Sequence, residues 1–185
     1  MNKVIYGTIV FAVVILLGSC KKTETVTDDP SVVYKSLNKT VNTVSGATGI
    51  DSLDLNQDGL SEVLIQFSNM GADTGIIVMS TFEQNIQFAL DAVTPAPYPK
   101  LFHLGDVPPT SSVVYNNVSY TSVKYSGMRY GLLNGEGYLA FRFTTGSKFQ
   151  YGWMHVSLNS AFNEFKVLEY AYSLDPDVPV KVGSK

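Results

Sequence analysis

The stretch that decides the fold is GYLAFRFTTGSKFQYGWMHVSL, residues 137–158. Two sets of residues alternate in its first half, on one side Leu139, Phe141 and Phe143, and on the other Tyr138, Ala140 and Arg142. Side chains of a β-strand point alternately to opposite faces, so the first set predicts the core side of a strand. The stretch therefore predicts two strands, 138–144 and 150–158.

The second of these strands contains the motif YGW. Tyr151 and Trp153 are two positions apart and share one face, whereas Gly152 leaves room for an aromatic ring of a neighbouring strand on the other face. We expect Trp153 to be a core anchor, because tryptophan is highly buried on average. The alternative is a surface platform on which a sugar stacks.

The rest of the chain continues this pattern of short apolar stretches separated by Gly, Asn, Asp and Pro. The pattern predicts an all-β fold, a single antiparallel β-sandwich of jelly-roll-like type. The other predicted strands are 32–37, 50–55, 62–68, 75–80, 112–115, 119–125 and 165–172. Segment 82–93 fits both a helical and a strand period, and we favour a strand or hairpin there. Three prolines in TPAPYPK, residues 94–100, predict a surface loop because each removes a ladder donor.

The first twenty residues, MNKVIYGTIVFAVVILLGSC, predict an export signal that ends in a lipid anchor. Lys3 precedes an apolar run, 4–17, which is shorter than the roughly 20 residues of a membrane-spanning helix. Residues 17–20, LGSC, resemble the bacterial lipobox, whose cysteine becomes the acylated first residue. We expect a signal peptide at 1–19, lipidated Cys20 with a flexible tether at 20–31, and the β-sandwich domain at 32–185. The alternative is an ordinary signal peptide with a chance cysteine.

The anchor predicts a place in the bacterial cell envelope, with the membrane as partner. Each buried acyl methylene contributes about 0.8 kcal/mol, so two or three chains together hold a protein firmly. Residue 21 is lysine rather than aspartate, which by resemblance to lipoprotein sorting rules favours the outer membrane.

The charge of the expected mature chain argues against a nucleic-acid partner. Residues 1–19 contain Lys3 and no acid, so 13 basic residues fall to 12 against 16 acidic ones, a net charge near −4. Polyanion binders carry clustered Lys and Arg, whereas this chain has two arginines, Arg129 and Arg142, and scattered lysines. With its one cysteine lipidated the domain has no disulfide, and about 150 residues can bury a core without one.

The stretch DLNQDGLSE, residues 54–62, predicts a structural calcium loop. Oxygen ligands at alternate positions can surround a hard cation, with glycine at position six and a backbone carbonyl at position seven. The expected ligand positions are Asp54, Asn56, Asp58, Leu60 and Glu62. Position twelve, a bidentate glutamate in an EF-hand, is Ile65, so we expect a weak site of about 10⁻⁴ to 10⁻³ M unless Asp51 or a distant loop adds oxygens.

The same residues are also typical of a polar turn without an ion. Asn and Asp side chains often accept hydrogen bonds from their own backbone, and Gly59 can adopt a positive φ. In either case the loop would stabilise the domain rather than react.

Some tyrosines are candidates for ligand binding, because 22 aromatic residues (1 Trp, 11 Tyr and 10 Phe) exceed what one small core requires. Tyr115, Tyr120, Tyr125 and Tyr130 fall in a polar region punctuated by glycine, and exposed tyrosine suits recognition of glycans or proteins. The alternative is ordinary strand tyrosines at the rim of a sandwich.

The sequence contains no assembled catalytic motif, so we expect no enzyme. His103 and His155 lie outside any cluster of zinc ligands, and although His103 is near Asp106, no GxSxG nucleophile motif occurs. Four acids are glycosidase candidates only by residue type: Glu62, Glu136 (in a predicted NGEG turn), Glu169 and Asp175. A glycoside or ester hydrolase is the weaker alternative.

Several motifs together resemble a domain of exported bacterial proteins, often found in proteins with a PEP-CTERM sorting tail. Its pattern runs from an aspartate-rich loop through GYLGFRF and YGW to a closing strand with AY. The matching segments are 54–62, 137–143, 151–153 and 171–172, HLGDV at 103–107 is similar to a mid-domain turn, and the resemblance covers residues 48–183. It implies a secreted β-sandwich without an established activity. This chain departs from the pattern by its lipid anchor, by lacking a sorting tail and by His155, where members usually carry arginine.

These features together predict a lipid-anchored envelope protein of structural or binding type with a structural calcium loop. A glycan- or protein-binding surface module is the alternative.

Overall fold

The computed structural model describes residues 29, 31–71, 74–81, 86–91, 98–110, 115–125, 128–131 and 135–185. In these ranges the chain forms twelve β-strands and no helix, so the predicted all-β class is confirmed. Accordingly, the described part of the chain contains no helix with the length and hydropathy of a membrane span. The predicted signal peptide and Cys20 lie outside the described residues, and of the tether only Asp29 and Ser31 are described.

The strands alternate with short turns and loops along the chain. In order they are β1 (Val32–Asn42), β2 (Ala47–Leu53), β3 (Val63–Asn69), β4 (Thr74–Thr81), β5 (Ile86–Ala89), β6 (Leu101–Phe102), β7 (Tyr115–Asn116), β8 (Val118–Tyr125), β9 (Met128–Gly131), β10 (Gly135–Thr145), β11 (Lys148–Leu158) and β12 (Glu164–Ser173).

These strands form two antiparallel sheets. Sheet A has the order β1-β12-β11-β10-β5-β7, with β6 also paired to β10, and sheet B has the order β2-β3-β4-β8-β9. Consecutive strands pair at β2-β3, β3-β4 and β8-β9 in sheet B and at β10-β11 and β11-β12 in sheet A, because short turns join antiparallel strands directly. The other pairs, among them β1-β12, β5-β10 and β4-β8, bring distant parts of the sequence together.

The main core lies between the two sheets, so the predicted sandwich is confirmed. Sheet B contributes Ile65, Phe67, Ile77 and Met79, and sheet A contributes Leu139, Phe141, Phe143, Met154, Val156 and Phe165. The alternation in 138–144 thus has the predicted orientation, with its large apolar side chains facing the opposite sheet. Burial of such side chains contributes roughly 1.5–3 kcal/mol each relative to exposure.

Gly152 has the neighbouring aromatic ring that the sequence predicts. It lies opposite Phe141 of β10, and an added Cβ would stand 2.5 Å from Cζ of that ring and 2.6 Å from the carbonyl oxygen of Ala171. Only glycine fits this close approach without movement of its neighbours.

Trp153 is fully buried, but in a second core on the outer face of sheet A. It alternates with Met154 of the main core, so its side chain points away from sheet B. The cover comes from the C-terminal segment through Val180 and Val182 and from Phe102, so sheet A is buried on both faces around Trp153. The surface sugar platform is thereby excluded for Trp153.

Two strands and the position of one loop residue were not predicted from the sequence. β6 and β9 are absent from the predicted strands, whereas β5, Ile86–Ala89, agrees with the strand favoured within 82–93. Pro99 departs from the predicted surface loop, because it is buried and forms an isolated antiparallel bridge with Leu90. Proline is tolerated there because a single bridge does not need its missing N–H.

Candidate functional site

The acidic loop, residues 54–62, connects β2 to β3 at one end of sheet B. Its base is closed by a hydrogen bond from the Glu62 N–H to the Leu53 carbonyl, 2.9 Å. Leu55 is fully buried, and its carbonyl accepts a hydrogen bond from the Tyr170 hydroxyl of β12, 3.0 Å. The loop is therefore fastened to sheet A as well as to its own strands.

Side chains of the loop accept hydrogen bonds from its own backbone. The Asp54 carboxylate accepts from the N–H groups of Gln57 (2.6 Å) and Gly59 (2.9 Å). Asn56 Oδ1 accepts from the Asp58 N–H at 2.9 Å, and Asp58 Oδ1 accepts from the Leu60 N–H at 2.8 Å. Gly59 adopts a φ of 91°, which confirms the positive φ expected at this position. These are the bonds of a polar turn, and they shape the loop independently of an ion.

Three carboxylates of this loop converge. Oxygen atoms of Asp54, Asp58 and Glu62 all lie within 4.8 Å of one another, so this acidic triad could hold a metal ion. Burial raises the pKa of Glu62, and the nearby charges of Asp54 and Asp58 raise it further, although a hydrogen bond from the Leu55 N–H at 2.6 Å acts in the opposite direction. Like charges at this separation repel one another, and a bound cation would relieve the repulsion.

Two other positions considered as ligands lie away from the triad. Ile65, at position twelve of the loop, is fully buried in β3 and has no ligand atom in its side chain. Asp51 pairs with the Lys39 ammonium group at 2.9 Å, so its charge is already compensated. Asn56 is exposed in the loop, and its amide donates to Asp58 Oδ2 at 3.0 Å. Of the ligands expected from the sequence, the Asn56 amide oxygen and the Leu60 carbonyl are the ones that could add to the triad.

A cleft of about 560 Å³ opens beside the acidic loop. One wall is formed by residues 56, 58 and 60–62 of the loop, and the other by the ends of β10, β11 and β12 in sheet A. Phe143 and Tyr172 lie in this second wall, with ring centroids 5.1 Å apart. The sequence did not predict the cleft, because its two walls are about 80 residues or more apart along the chain.

His155 lies between two carboxylates on the outer face of sheet A, a cluster that sequence reasoning missed. Its Nε2 is 3.1 Å from Glu136 Oε2 and its Nδ1 is 3.5 Å from Glu169 Oε1. The ring of Tyr138 stacks on the imidazole with centroids 4.3 Å apart. Glu136 lies in β10 and not in the turn expected from NGEG, which brings it opposite Ser157 and next to His155.

The cluster extends from Glu169 to the chain terminus. Glu169 Oε2 accepts hydrogen bonds from the Tyr34 hydroxyl, 2.5 Å, and the Lys185 ammonium group, 3.1 Å. These contacts connect β1, β12 and the C-terminal segment. The imidazole between its two carboxylates likewise connects β10, β11 and β12.

The remaining candidates are placed apart from one another. Tyr115 lies in β7 of sheet A, and its ring contacts Tyr151 and Arg142 while its hydroxyl donates to the Pro109 carbonyl. Tyr120 and Tyr125 belong to β8 and Tyr130 to β9, both in sheet B, and their side chains lie outside the described part of the structure. The four tyrosines therefore do not form one strand face.

The two other groups named from the sequence are exposed. His103 Nδ1 is 3.6 Å from Asp106 Oδ2, but the histidine side chain is 90% exposed. Asp175 lies in the expected turn after β12, where its N–H donates a hydrogen bond to the Ser173 hydroxyl oxygen at 3.0 Å.

The chain matches no family model, no curated protein and no solved structure. The resemblance to the exported β-sandwich domain stays a prediction from the motifs alone.

Proposed function

We propose that this chain is a lipid-anchored protein of the bacterial cell envelope, attached to the outer membrane through Cys20, that acts in binding or architecture. Its β2–β3 loop would hold a structural calcium ion. The envelope assignment is supported by the lipobox-like LGSC at 17–20 and the polar segment that follows it. We also propose that the domain belongs with the exported β-sandwiches that its motifs resemble.

The observation that carries the calcium proposal is the convergence of Asp54, Asp58 and Glu62 within 4.8 Å. Among the described residues, no lysine or arginine forms an ion pair with any of the three. A bound cation would supply the positive charge that the three carboxylates lack. Calcium suits the loop better than magnesium, because it accepts carboxylates, carbonyls and water in irregular geometry.

A calcium ion at this position would act on stability. It would join the end of β2 to the start of β3 and remove the repulsion among the three carboxylates. Ligands that bind only the folded state stabilise it by mass action, and millimolar calcium outside the cell suits a weak site.

Catalysis is the weaker proposal. The His155 cluster has an imidazole and two carboxylates, but the partners of these groups are Tyr34, Tyr138 and Lys185. A hydrolytic triad would instead need a serine or cysteine hydroxyl or thiol activated by the imidazole.

Membrane fractionation tests the envelope proposal. The full chain, expressed in a bacterium with an outer membrane, should sediment with the membranes and dissolve in detergent. The wild type should also incorporate labelled palmitate, and Cys20→Ala, which removes the acylated thiol, should not, whereas His103→Ala, an exposed control, should behave as the wild type. Equal incorporation in the wild type and Cys20→Ala, or none in either, would contradict lipid attachment.

A further inference from the structure

The cleft beside the acidic loop has the composition of a site for a polar, uncharged ligand. Its volume of about 560 Å³ lies within the roughly 300–1,000 Å³ of ligand pockets. In its wall from sheet A, the inner face that carries buried Phe143 continues into exposed Thr145 and half-buried Gln150. Thr145 and Gln150 follow Phe143 on this face, since Gln150 is paired directly with Phe143.

The polar groups of the cleft include both donors and acceptors of hydrogen bonds. Asn56 and Gln150 supply amides, Ser61 and Thr145 supply hydroxyls, and Asp58 and Glu62 supply carboxylates. A sugar hydroxyl donates and accepts at once, so planar amides and carboxylates next to hydroxyls are suitable partners for it. Gln150 is already held in place, since its amide donates to the Leu174 carbonyl at 3.1 Å.

The apolar groups are arranged around this polar set. The rings of Phe143 and Tyr172 lie in the wall from sheet A, and Leu60 (68% exposed) and Leu174 (49% exposed) belong to the two opposite walls. Such surfaces suit the C–H faces of a pyranose ring, which are apolar although the edge of the ring is polar.

The charge of the cleft excludes an anionic ligand. None of its lining residues within the described chain is a lysine or arginine, whereas Asp58 and Glu62 are acids. The ion of the proposed calcium loop would offset two of the three negative charges of Asp54, Asp58 and Glu62, which weakens the attraction for a cationic ligand and still leaves a negative charge that disfavours an anionic one. The inference rests on the proposed function only because it assumes a calcium ion in the acidic loop.

We propose that the cleft between residues 56–62 and the ends of β10, β11 and β12 binds a neutral carbohydrate. Asn56, Gln150 and Thr145 hydrogen-bond to its hydroxyls, and the exposed side chains of Leu60 and Leu174 contact the apolar face of a sugar ring. The protein is then a glycan-binding module of the envelope.

The test uses the full chain, purified in detergent with millimolar calcium. Neutral oligosaccharides built from glucose, mannose, galactose, xylose and N-acetylglucosamine are presented on an array, and each hit is measured by calorimetry. Thr145→Trp fills the cleft from an exposed position at the end of β10 and should abolish binding. Met70→Trp adds the same ring at an exposed site at the other end of β3 and should leave binding unchanged.

Three results would overturn the proposal. They are failure of every neutral oligosaccharide to bind, undiminished binding by Thr145→Trp with an unchanged melting temperature, and binding of spermine in place of the sugars. The calcium loop is tested separately by repeating the titration with chelator. If sugars bind but calcium does not change the stability, the calcium site is contradicted and the carbohydrate site is retained. If calcium raises the stability but no sugar binds, only the carbohydrate site is contradicted.

Discussion

At the scale of single residues, one tight constraint is the contact between Gly152 and the Phe141 ring. The glycine lies in the centre of sheet A, between β10 and β12, and the sheet is buried on both faces around it. A side chain at this position would have no free volume to occupy.

We predict that Gly152→Ala destabilises the protein by about 1–3 kcal/mol, because the new methyl group would overpack a filled core. The added Cβ would stand 2.5 Å from the Phe141 ring and 2.6 Å from the Ala171 carbonyl oxygen. Thermal unfolding measures the effect. Ser157→Ala, at a half-buried position of the same strand, is the control, and equal melting temperatures for the two variants would show that the ring contact is not restrictive.

Glu169 is the residue whose charge is most closely coupled to the fold. Burial by itself would raise the pKa of this carboxyl, but hydrogen bonds from Tyr34 and Lys185 and the nearby His155 outweigh burial and lower it. A carboxyl with a lower pKa in the folded chain stabilises the fold above its unfolded pKa of about 4.3. That contribution is lost as the pH falls through the folded pKa.

We therefore predict that Glu169→Gln lowers the free energy of unfolding by about 1–2 kcal/mol at pH 7, since it replaces charged hydrogen bonds by neutral ones. The deficit should shrink below about pH 4, where the wild type loses the same charge. Urea unfolding at both pH values checks this. Glu164→Gln, which removes an exposed pair with Lys166 at 2.8 Å, should change little. An equal loss of unfolding free energy at both pH values would contradict the role of the charge and attribute the effect to packing.

At the scale of structural elements, the C-terminal segment after β12 forms a layer of its own. Val180 and Val182 cover Trp153 and Ala171 on the outer face of sheet A. The chain has one tryptophan, so its fluorescence reports on this layer separately from the core between the sheets.

We predict that Val182→Asp exposes Trp153 without unfolding the sandwich. Val182 is 2% exposed, and a carboxylate there would be desolvated without a partner, so the segment should detach. Tryptophan emission should shift to the red and acrylamide quenching should rise, while the β-sheet circular dichroism is kept. Val178→Asp, at a 49% exposed position of the same segment, should leave the emission unchanged. Unchanged emission in Val182→Asp would mean that this segment does not cover Trp153.

The elements were predictable from the sequence to the extent that their signals are local. Alternation located β10 and β11, and the spacing of Asp54, Asp58 and Glu62 located the acidic triad, because its members lie within nine residues. Strand pairing is not local. His155 meets Glu169 through the pairing of β11 with β12 and an irregularity after His155, and no sequence pattern contains that register.

The non-local nature of packing also explains why the sequence predicted that Trp153 is buried but not which residues cover it. Its burial followed from residue type, but the layer that covers it depends on a C-terminal segment that folds back over the sheet. The cleft likewise requires two walls from different sheets.

At the scale of the whole molecule, the sandwich positions the acidic loop opposite the ends of β10, β11 and β12 of sheet A. Tyr170 of sheet A bonds to Leu55 of the loop, so an ion bound there would act on the connection between the sheets. The proposed calcium ion would consequently affect the stability of the entire domain and not of the loop alone.

Thermal unfolding of the full chain, in detergent with calcium or with chelator, tests this central claim most directly. For a dissociation constant of about 10⁻⁴ to 10⁻³ M, about 10 mM calcium should stabilise the wild type by roughly 1.4–2.7 kcal/mol, a rise of several degrees in melting temperature. Asp58→Ala should abolish the rise, and Glu164→Ala, an acid outside the loop, should keep it. Absence of a rise in the wild type, or an equal rise in Asp58→Ala, would contradict the calcium loop.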